Sequence, residues 1–505
     1  MTKAIVITMG GTGAKLGEAL THLVAAGIGP ADVHLFPIDQ DSGNGNTARL
    51  ERVAKAYESC RKLWRTPGQP HVVTDDLFAH NLTLAARWTP HDGASTLSKL
   101  LGPLDEEDKA LFDLLYCPQT EQDMGLGGGY RARPNVGATA LTTAIRSKPQ
   151  PDFWTELTQA MAPALNGNPV RVLLMGSLFG GTGAAGFPTL ARLIRNHAAN
   201  MRMGENLSIG GVLMLPYFDF RDPDQDAEGD AANVARQEEL LLQTRSALEH
   251  YAELTSPNGA LFSDLYLVGS QPYTRLAYHA PQGDAQSNPA LAVELVAALG
   301  GCRFLKDGPS ADSPKIFATA MQQANGWNWS DLPEVDSYER LGRLLRLATA
   351  WRHWEPLALN PKKRLGFLRD AWAKAQNLGT LSDNTGPHVE ALDGYLVHLV
   401  EWAAMVEAYA RASGQSFNLW RTDKQLAAPI NTNEPPAAIQ LKDLTDEKAY
   451  EAAFNDLIVP AGGKDDPGNA ANLFTEIGRR GNEDAPGLGM LMTALHRGCA
   501  VKGSI

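Results

Sequence analysis

The chain has 505 residues, enough for two or three domains, with 44% hydrophobic and 20% charged residues. Those fractions exclude a wholly disordered chain, and no apolar run in the sequence reaches the length of a membrane span. A net charge of −12 argues against broad contact with nucleic acid or an anionic membrane, leaving room for a local basic pocket.

Met1-Thr2-Lys3 leads straight into an apolar run, Ala4 to Ile7, that is too short for a signal peptide. Cys60, Cys117, Cys302 and Cys499 are scattered without a Cys-x-x-Cys pair, so neither a zinc site nor a disulfide framework is indicated. A reduced, cytoplasmic protein is the expectation.

In chain order, Ile5 to Thr8 reads as a buried strand, and Leu16, Leu20, Leu23 and Val24 fall at helical spacing behind it. Val33 to Ile38 reads as a second strand. Thr66 to Leu126, with Pro-Gly and acidic turns, reads as an elaboration between strands. Val170 to Met175 and Ile209 to Leu215 read as strands with a helix between them. Glu238 to Tyr251 reads as a helix, Leu265 to Val268 as a strand and Pro289 to Leu299 as a helix. Strands alternating with helices predict an α/β fold, a Rossmann-like parallel sheet with helices on both faces.

After about residue 305 strand signals become sparse. Leu341 to Ala348 and Leu392 to Tyr409 predict helices, with Trp351, Trp354, Trp402 and Trp420 building their core. Asn431 to Ala438 and Gly462 to Asn469 read as exposed loops or linkers. The expected division is a nucleotide-binding domain over 1–305 and a mainly helical region over 306–505.

Three glycine-rich loops carry the chemistry. The first, from Met9 to Gly17, contains Gly10, Gly11, Thr12 and Gly13, and runs from a strand into a helix. Glycine lets the backbone approach an anion closely, and the helix N-terminus supplies free amides. A tight strand-to-helix turn in any doubly wound fold wants the same residues. No Gly-Lys-Ser/Thr closes the loop, so it is not a Walker A loop, and Gly11, Gly13 and Gly17 depart from dinucleotide spacing. The second loop, Gly125 to Gly137, places Gly127, Gly128 and Gly129 before Arg131 and Arg133, whose guanidinium groups match phosphate geometry. Alone, it also reads as a flexible surface loop. The third, Gly176 to Pro188, holds Gly180, Gly181, Thr182 and Gly183 between the best strand and a convincing helix. A simple turn does not need that much glycine.

Taken in order, these loops resemble those of the tubulin/FtsZ family, over roughly residues 1 to 300. Gly180 to Gly186 (G-G-T-G-A-A-G) is similar to the tubulin signature G-G-G-T-G-S-G, with Phe179 in place of its first glycine and Ala185 in place of its last. Gly125, Leu126, Gly127, Gly129, Pro134 and Gly137 resemble FtsZ's G-L-G-A-G…P-x-x-G, with a two-residue insertion. Ile38-Asp39-Gln40-Asp41 resembles I-N-T-D, which gives Asp41 an outer place near the nucleotide's metal. Pro216 and Tyr217 stand where the family meets the ribose.

The resemblance implies GTP or GDP with Mg2+, phosphate contacts from the three loops, and head-to-tail self-association into protofilaments. Lys15 stands where FtsZ has an asparagine that touches guanine. Asn288 is either a second base contact or the cap of the following helix. No N-x-D-x-A-D loop follows that helix; Asp307 and Asp312 lie in its place without the motif, so the catalytic residue is unassigned. Two alternatives stand beside the GTPase: a nucleotide-binding switch without efficient hydrolysis, and a Rossmann-type NAD(P) or flavin enzyme.

Overall fold

The computed structural model describes residues 2–91, 95–130, 133–147, 150–220, 237–255, 260–271, 273–276, 287–318, 336–359, 371–379, 386–415, 440–458 and 487–500, with single residues and short pieces between 327 and 477. The first three strands are β1 (Lys3–Met9), β2 (Asp32–Ile38) and β3 (Asn81–Leu84). Farther along come β4 (Val170–Ser177), β5 (Leu207–Met214), β6 (Phe218–Phe220), β7 (Asp264–Val268), β8 (Thr274–Leu276) and β9 (Lys315–Ala318). Seven of them form one sheet in the order β3-β2-β1-β4-β5-β7-β9, and β6 pairs with β8 in a small second sheet. Every pairing in the large sheet is parallel.

The side-chain period of a strand explains why helices cover both faces. Along β1, Ala4 and Val6 enter one core, while Ile5, Ile7 and Met9 enter the other. Along β4, Leu173 and Met175 point to the first core, and Val172 and Leu174 to the second. The first face carries α1 (Gly10–Ala25), α2 (Gly45–Arg65) and α9 (Ala292–Asp307). The second carries α6 (Asp152–Met161), α7 (Gly181–Asn200) and α8 (Gln237–Leu254). Between β3 and α6, the helices α3 (Leu97–Leu101), α4 (Glu106–Leu115) and α5 (Pro134–Arg146) build a smaller cluster around Tyr130, Val136 and Leu141.

Two strands of the large sheet were not legible in the sequence, nor were the short β6 and β8. β3 is four residues long and is pinned by Asn81, whose side-chain amide donates to Asp32 Oδ1 at 2.7 Å. β9 is an edge strand with exposed or half-exposed side chains, so no apolar run marks it, and it continues the sheet beyond residue 305.

The rest of the chain is helical where described: α10 (Ser337–Ala358), α11 (Ala371–Ala375), α12 (Gly386–Ala412), α13 (Glu447–Asp456) and α14 (Leu488–Gly498). Trp351, Trp402 and Trp420 are buried, and Trp354 packs at the margin. The loops expected over 431–438 and 462–469 lie outside the described residues. Among the described residues no helix is long and apolar enough to cross a membrane.

The C-terminal helices share one continuous core with α1, α2 and α9. Trp64 Nε1 on α2 donates to the carbonyl of His388 at 3.2 Å. His22 on α1 lies against the Trp402 ring, centroids 4.9 Å apart, with Nδ1 3.2 Å from the Tyr395 hydroxyl. Burial pushes the His22 imidazole down to about 3, so it is neutral and fits an apolar setting.

Glu407 on α12 is also buried, and its Oε2 accepts from the backbone N–H of Leu419 at 2.6 Å. Burial pushes its carboxyl from 4.5 up to about 7, opposed by that bond and by Arg411. A carboxyl that holds its proton more tightly when folded stabilises most at low pH. Its contribution is lost as pH rises from about 4.5 to about 7, by at most roughly 3 kcal/mol. Glu407→Gln keeps the acceptor and removes the titration. Its urea midpoint should fall less than that of the parent between about pH 5 and pH 8; equal falls in both proteins would refute this assignment.

Candidate functional site

The strand order places a topological switch point between β1 and β4. From β1 the chain moves outward to β2 and β3, then crosses back to β4 and proceeds the other way. Parallel sheets of this kind leave a crevice at the carboxyl ends of those two strands. The first glycine loop follows β1 and the third follows β4, so both border this crevice.

The loops touch. Gly10 has φ +68°, and a Cβ built there would lie 3.4 Å from Thr182 Cβ and 3.5 Å from Gly183 N. A Cβ on Gly13 would meet the Met175 carbonyl at 2.6 Å, so α1 rests directly on the end of β4. The second loop joins through a backbone bridge between Asp41 and Gly128. Its helix, α5, packs on α7 where Gly137 faces Ala185.

Helices α1, α5 and α7 begin at these three loops. Met9, Arg133 and Gly180 occupy their N-cap positions, and none makes a side-chain capping bond. The first amides of such helices have no intrahelical acceptor, and the helix dipole favours negative charge there. The termini of α1 and α7 meet at the crevice, with α5 packed on α7 beside them, and uncapped termini of this kind make an environment for an anion with several oxygens.

Asp39 closes the floor. It follows β2 directly and is 1% exposed. Its Oδ2 accepts from Thr47 Oγ1 at 2.8 Å, and its Oδ1 accepts from Asp41 N at 3.1 Å and from Thr182 Oγ1 at 3.5 Å. Burial pushes the carboxyl up to about 7, opposed by the Thr47 hydroxyl. Asp41, which the resemblance favoured, is half-buried, and its Oδ1 accepts from Gly43 N at 3.0 Å in a local turn. Of the two acids, Asp39 touches the third loop. It stands in the same Ile-Asp-Gln-Asp segment, two residues before the acid that matches the family pattern.

Beside it, Gln40 Oε1 accepts from His91 N at 3.2 Å and from the Tyr130 hydroxyl at 3.4 Å, tying the second loop to β2. Arg131 lies outside the described residues. The Arg133 guanidinium is turned toward Glu121, with Nε 4.0 Å from Oε1, and toward Met124 Sδ at 3.7 Å. In this arrangement it faces the small cluster around α4 and α5.

Lys15 is buried and ion-paired with Glu294 on α9. Burial lowers the pKa of its ammonium, while the Glu294 carboxylate opposes that shift. The Tyr217 hydroxyl donates to Glu294 Oε1 at 2.8 Å, and Lys15 Nζ lies 5.4 Å from the centre of the Tyr217 ring. Lys15 is thus engaged inside the protein. Pro216 is buried next to Tyr217, and Phe179 packs edge-on against Phe218 with centroids 5.4 Å apart. That packing accounts for an aromatic residue where the tubulin signature has glycine.

Asn288 does not cap the following helix. The helix begins at Ala292, and Glu294 Oε2 accepts from the N–H of Leu291, the residue at the cap position. Pro289 suits a first turn, yet the helix starts three residues after it. Asn288 is held by its backbone: its N–H donates to Asn46 Oδ1 at 2.8 Å, and its carbonyl accepts from Arg49 Nη1 at 2.8 Å. Arg49 is in turn paired with Glu18 at 2.8 Å. Asn44, Asn46, Arg49 and Glu294 carry no motif, and only the fold brings them to the first loop and to Glu18 just behind it.

No family model matches the chain, and no curated protein matches it.

The contact between Gly13 and β4 makes a sharp prediction. Alanine is favoured over glycine inside a helix by about 1 kcal/mol. At Gly13 the methyl meets a backbone carbonyl that has no rotamer to escape into, so overpacking wins and Gly13→Ala should destabilise by roughly 1–3 kcal/mol. At Gly11 a Cβ meets only the side chains of Asn44 and Asn46, which can shift. Denaturant midpoints should therefore separate the two variants, and equal stability would overturn the packing argument.

Proposed function

We propose that the crevice at β1 and β4 binds the phosphates of a nucleoside triphosphate, and that the chain is a tubulin-like GTP-binding protein. The observation that carries this reading is the contact of Gly10 with Thr182 and Gly183, together with the Asp41–Gly128 bridge. The first and third loops touch directly, and the second is tied to the segment after β2, whose Asp39 bonds Thr182 of the third. GTP or GDP with Mg2+ is the proposed ligand.

The residues present fit phosphate and a divalent cation. In this reading the amides at Gly11, Thr12 and Gly13 and at Gly181, Thr182 and Gly183 face phosphate oxygens, while the second loop lines the site with its backbone already tied to Leu126 and Asp41. The Thr182 hydroxyl would be the nearest group to hold the cation, oriented by the buried Asp39 carboxyl that accepts from it and from Thr47, with Asp41 farther out. Mg2+ favours such sites, keeping several waters and taking few protein ligands. When bound, it neutralises charge on the phosphates. The protein's part is to position and to stabilise charge, which is most of what phosphoryl transfer demands.

For the base, Lys15 is engaged by Glu294, and Asn288 is held by α2. The choice of guanine rests on the family resemblance.

Hydrolysis needs an acid from elsewhere. Asp307 ends α9, whose last turn lies beside Arg171 near the start of β4; Arg171 Nη1 donates to the Leu305 carbonyl at 2.8 Å. That is the end of the sheet opposite the glycine loops. A head-to-tail stack of subunits would bring this end of one copy to the loops of the next, and heterologous contacts of that kind build open filaments. A switch without efficient turnover uses the same site with no such stacking.

One observation favours a second reading, the NAD(P) enzyme. An acid at the end of β2 is where dinucleotide-binding folds hold a ribose. Asp39 occupies that place, yet it is buried and spent on Thr47 and Thr182.

Binding of GTP, GDP, ATP and NAD to the purified chain, with and without Mg2+, tests these readings. Mg2+-dependent GTP binding that weakens roughly 10-fold or more in Thr182→Ala is expected, as for loss of a hydrogen bond to a charged group. Phosphate release that rises steeply with protein concentration marks an assembling GTPase, and tight binding without turnover marks the switch. Binding of NAD in preference to every triphosphate would sink the proposal.

A further inference from the structure

Far from the glycine loops, the connection between α2 and β3 meets the last described helix, α14. Thr74 N donates to Thr493 Oγ1 at 3.2 Å, and Leu488 N donates to His71 Nδ1 at 3.1 Å. At the centre of this junction three side chains converge from positions about 420 apart in sequence. His496 Nδ1 lies 2.6 Å from Asp75 Oδ2 and 3.8 Å from Asp76 Oδ1. The ligand atoms of all three lie within 4.8 Å of one another.

We propose that Asp75, Asp76 and His496 form a binding site for a divalent ion of the zinc or manganese class, which fastens α14 to the α2–β3 connection. The donor set is one imidazole nitrogen and two carboxylate oxygens. Imidazole suits zinc and its neighbours, carboxylate suits manganese and magnesium, and the mixture favours the middle of that range over magnesium.

Imidazole Nδ1 carries one proton and satisfies the Asp75 carboxylate, which leaves Asp76 Oδ1, 3.8 Å from it, to the Arg343 guanidinium at 3.6 Å or to an ion. The Asp75 and His496 side chains are 5% and 7% exposed, so water reaches neither freely. Asp75 Oδ1 already accepts from Leu77 N at 3.1 Å, which turns Oδ2 to the junction. Arg343, 3.6 Å from Asp76, is shared with Glu339 at 2.9 Å. A tetrahedral ion with bonds of about 2.0–2.2 Å spaces its ligands roughly 3.3–3.6 Å apart. Asp75 Oδ2 would retreat by roughly 0.7 Å and Asp76 would close in slightly. Asp76 is 57% exposed, which gives the ion a path in and leaves its fourth position to water.

Untagged full-length protein stripped with EDTA and dialysed against Zn2+, Mn2+ or Mg2+ tests this. One Zn2+ or Mn2+ per chain should bind saturably, and the melting midpoint should rise by roughly 2–3 °C at a hundredfold excess over Kd. Asp76→Asn removes an exposed ligand and leaves the Asp75–His496 contact and the fold in place. It should lose at least about tenfold in affinity. His496→Gln should lose more, with a lower midpoint even without metal. Absence of saturable binding of either ion up to ~100 µM, or wild-type affinity in Asp76→Asn, would overturn the proposal.

Discussion

Helix α1 begins at the residue after β1 ends, and it rests on the neighbouring strand because Gly13 presents no side chain to the Met175 carbonyl. The rest of the arrangement depends on that close approach. It brings Gly10 to Thr182, aims the uncapped end of α1 at the end of α7, and sinks Lys15 deep enough to reach Glu294 on α9. A helix standing even one methyl farther from the sheet would leave the first and third loops apart. The φ of Gly10 serves the same end, since the chain must reverse from strand to helix within one residue.

Charge then fixes what packing has assembled. Lys15 with Glu294 and Arg49 with Glu18 are two ion pairs removed from water side by side beneath the first loop. Such pairs add little over well-packed apolar residues, but losing one partner strands the other at a cost of about 3–5 kcal/mol. They therefore act as register pins. Glu294 and Arg49 between them hold the stretch from Ser287 to Leu291 against α1 and α2. Asp39 belongs to a different regime: as a buried acid with no cationic partner at bonding distance among the described residues, it is cheapest to bury when protonated.

What the sequence made legible follows from burial. β1, β4 and β5 are covered on both faces, and their unbroken apolar runs stand out. β3 and β9 lie at the edges and are short, so neither offers a pattern. The glycine loops were visible because backbone demands show as residue type. That the first and third meet in one crevice follows physically from the strand order, since they succeed the adjacent strands β1 and β4. Asp39 was obscured by the better-matched Asp41 two residues on. Glu294 and Arg49 read as ordinary helix residues until the fold places their partners, since an ion pair between residues 279 apart leaves no local trace. The start of α9 was misplaced because Pro289 resembles a first-turn proline, and only the bond from Glu294 to Leu291 shows where the helix begins.

Helix α1 also lacks a solvent-facing stripe: from Gly13 to Ala25 every residue is buried. Its outer side, where a surface helix would carry polar residues, is occupied by α12 through His22, Tyr395 and Trp402. Such a helix has no surface of its own on which to accept a different neighbour. The C-terminal helices are thus not an exchangeable attachment to a generic α/β fold. A recombination that swapped them for another domain would have to rewrite α1 as well, residue by residue, and α1 opens with the first glycine loop. Divergence at one end of the chain is thereby bound to divergence at the other.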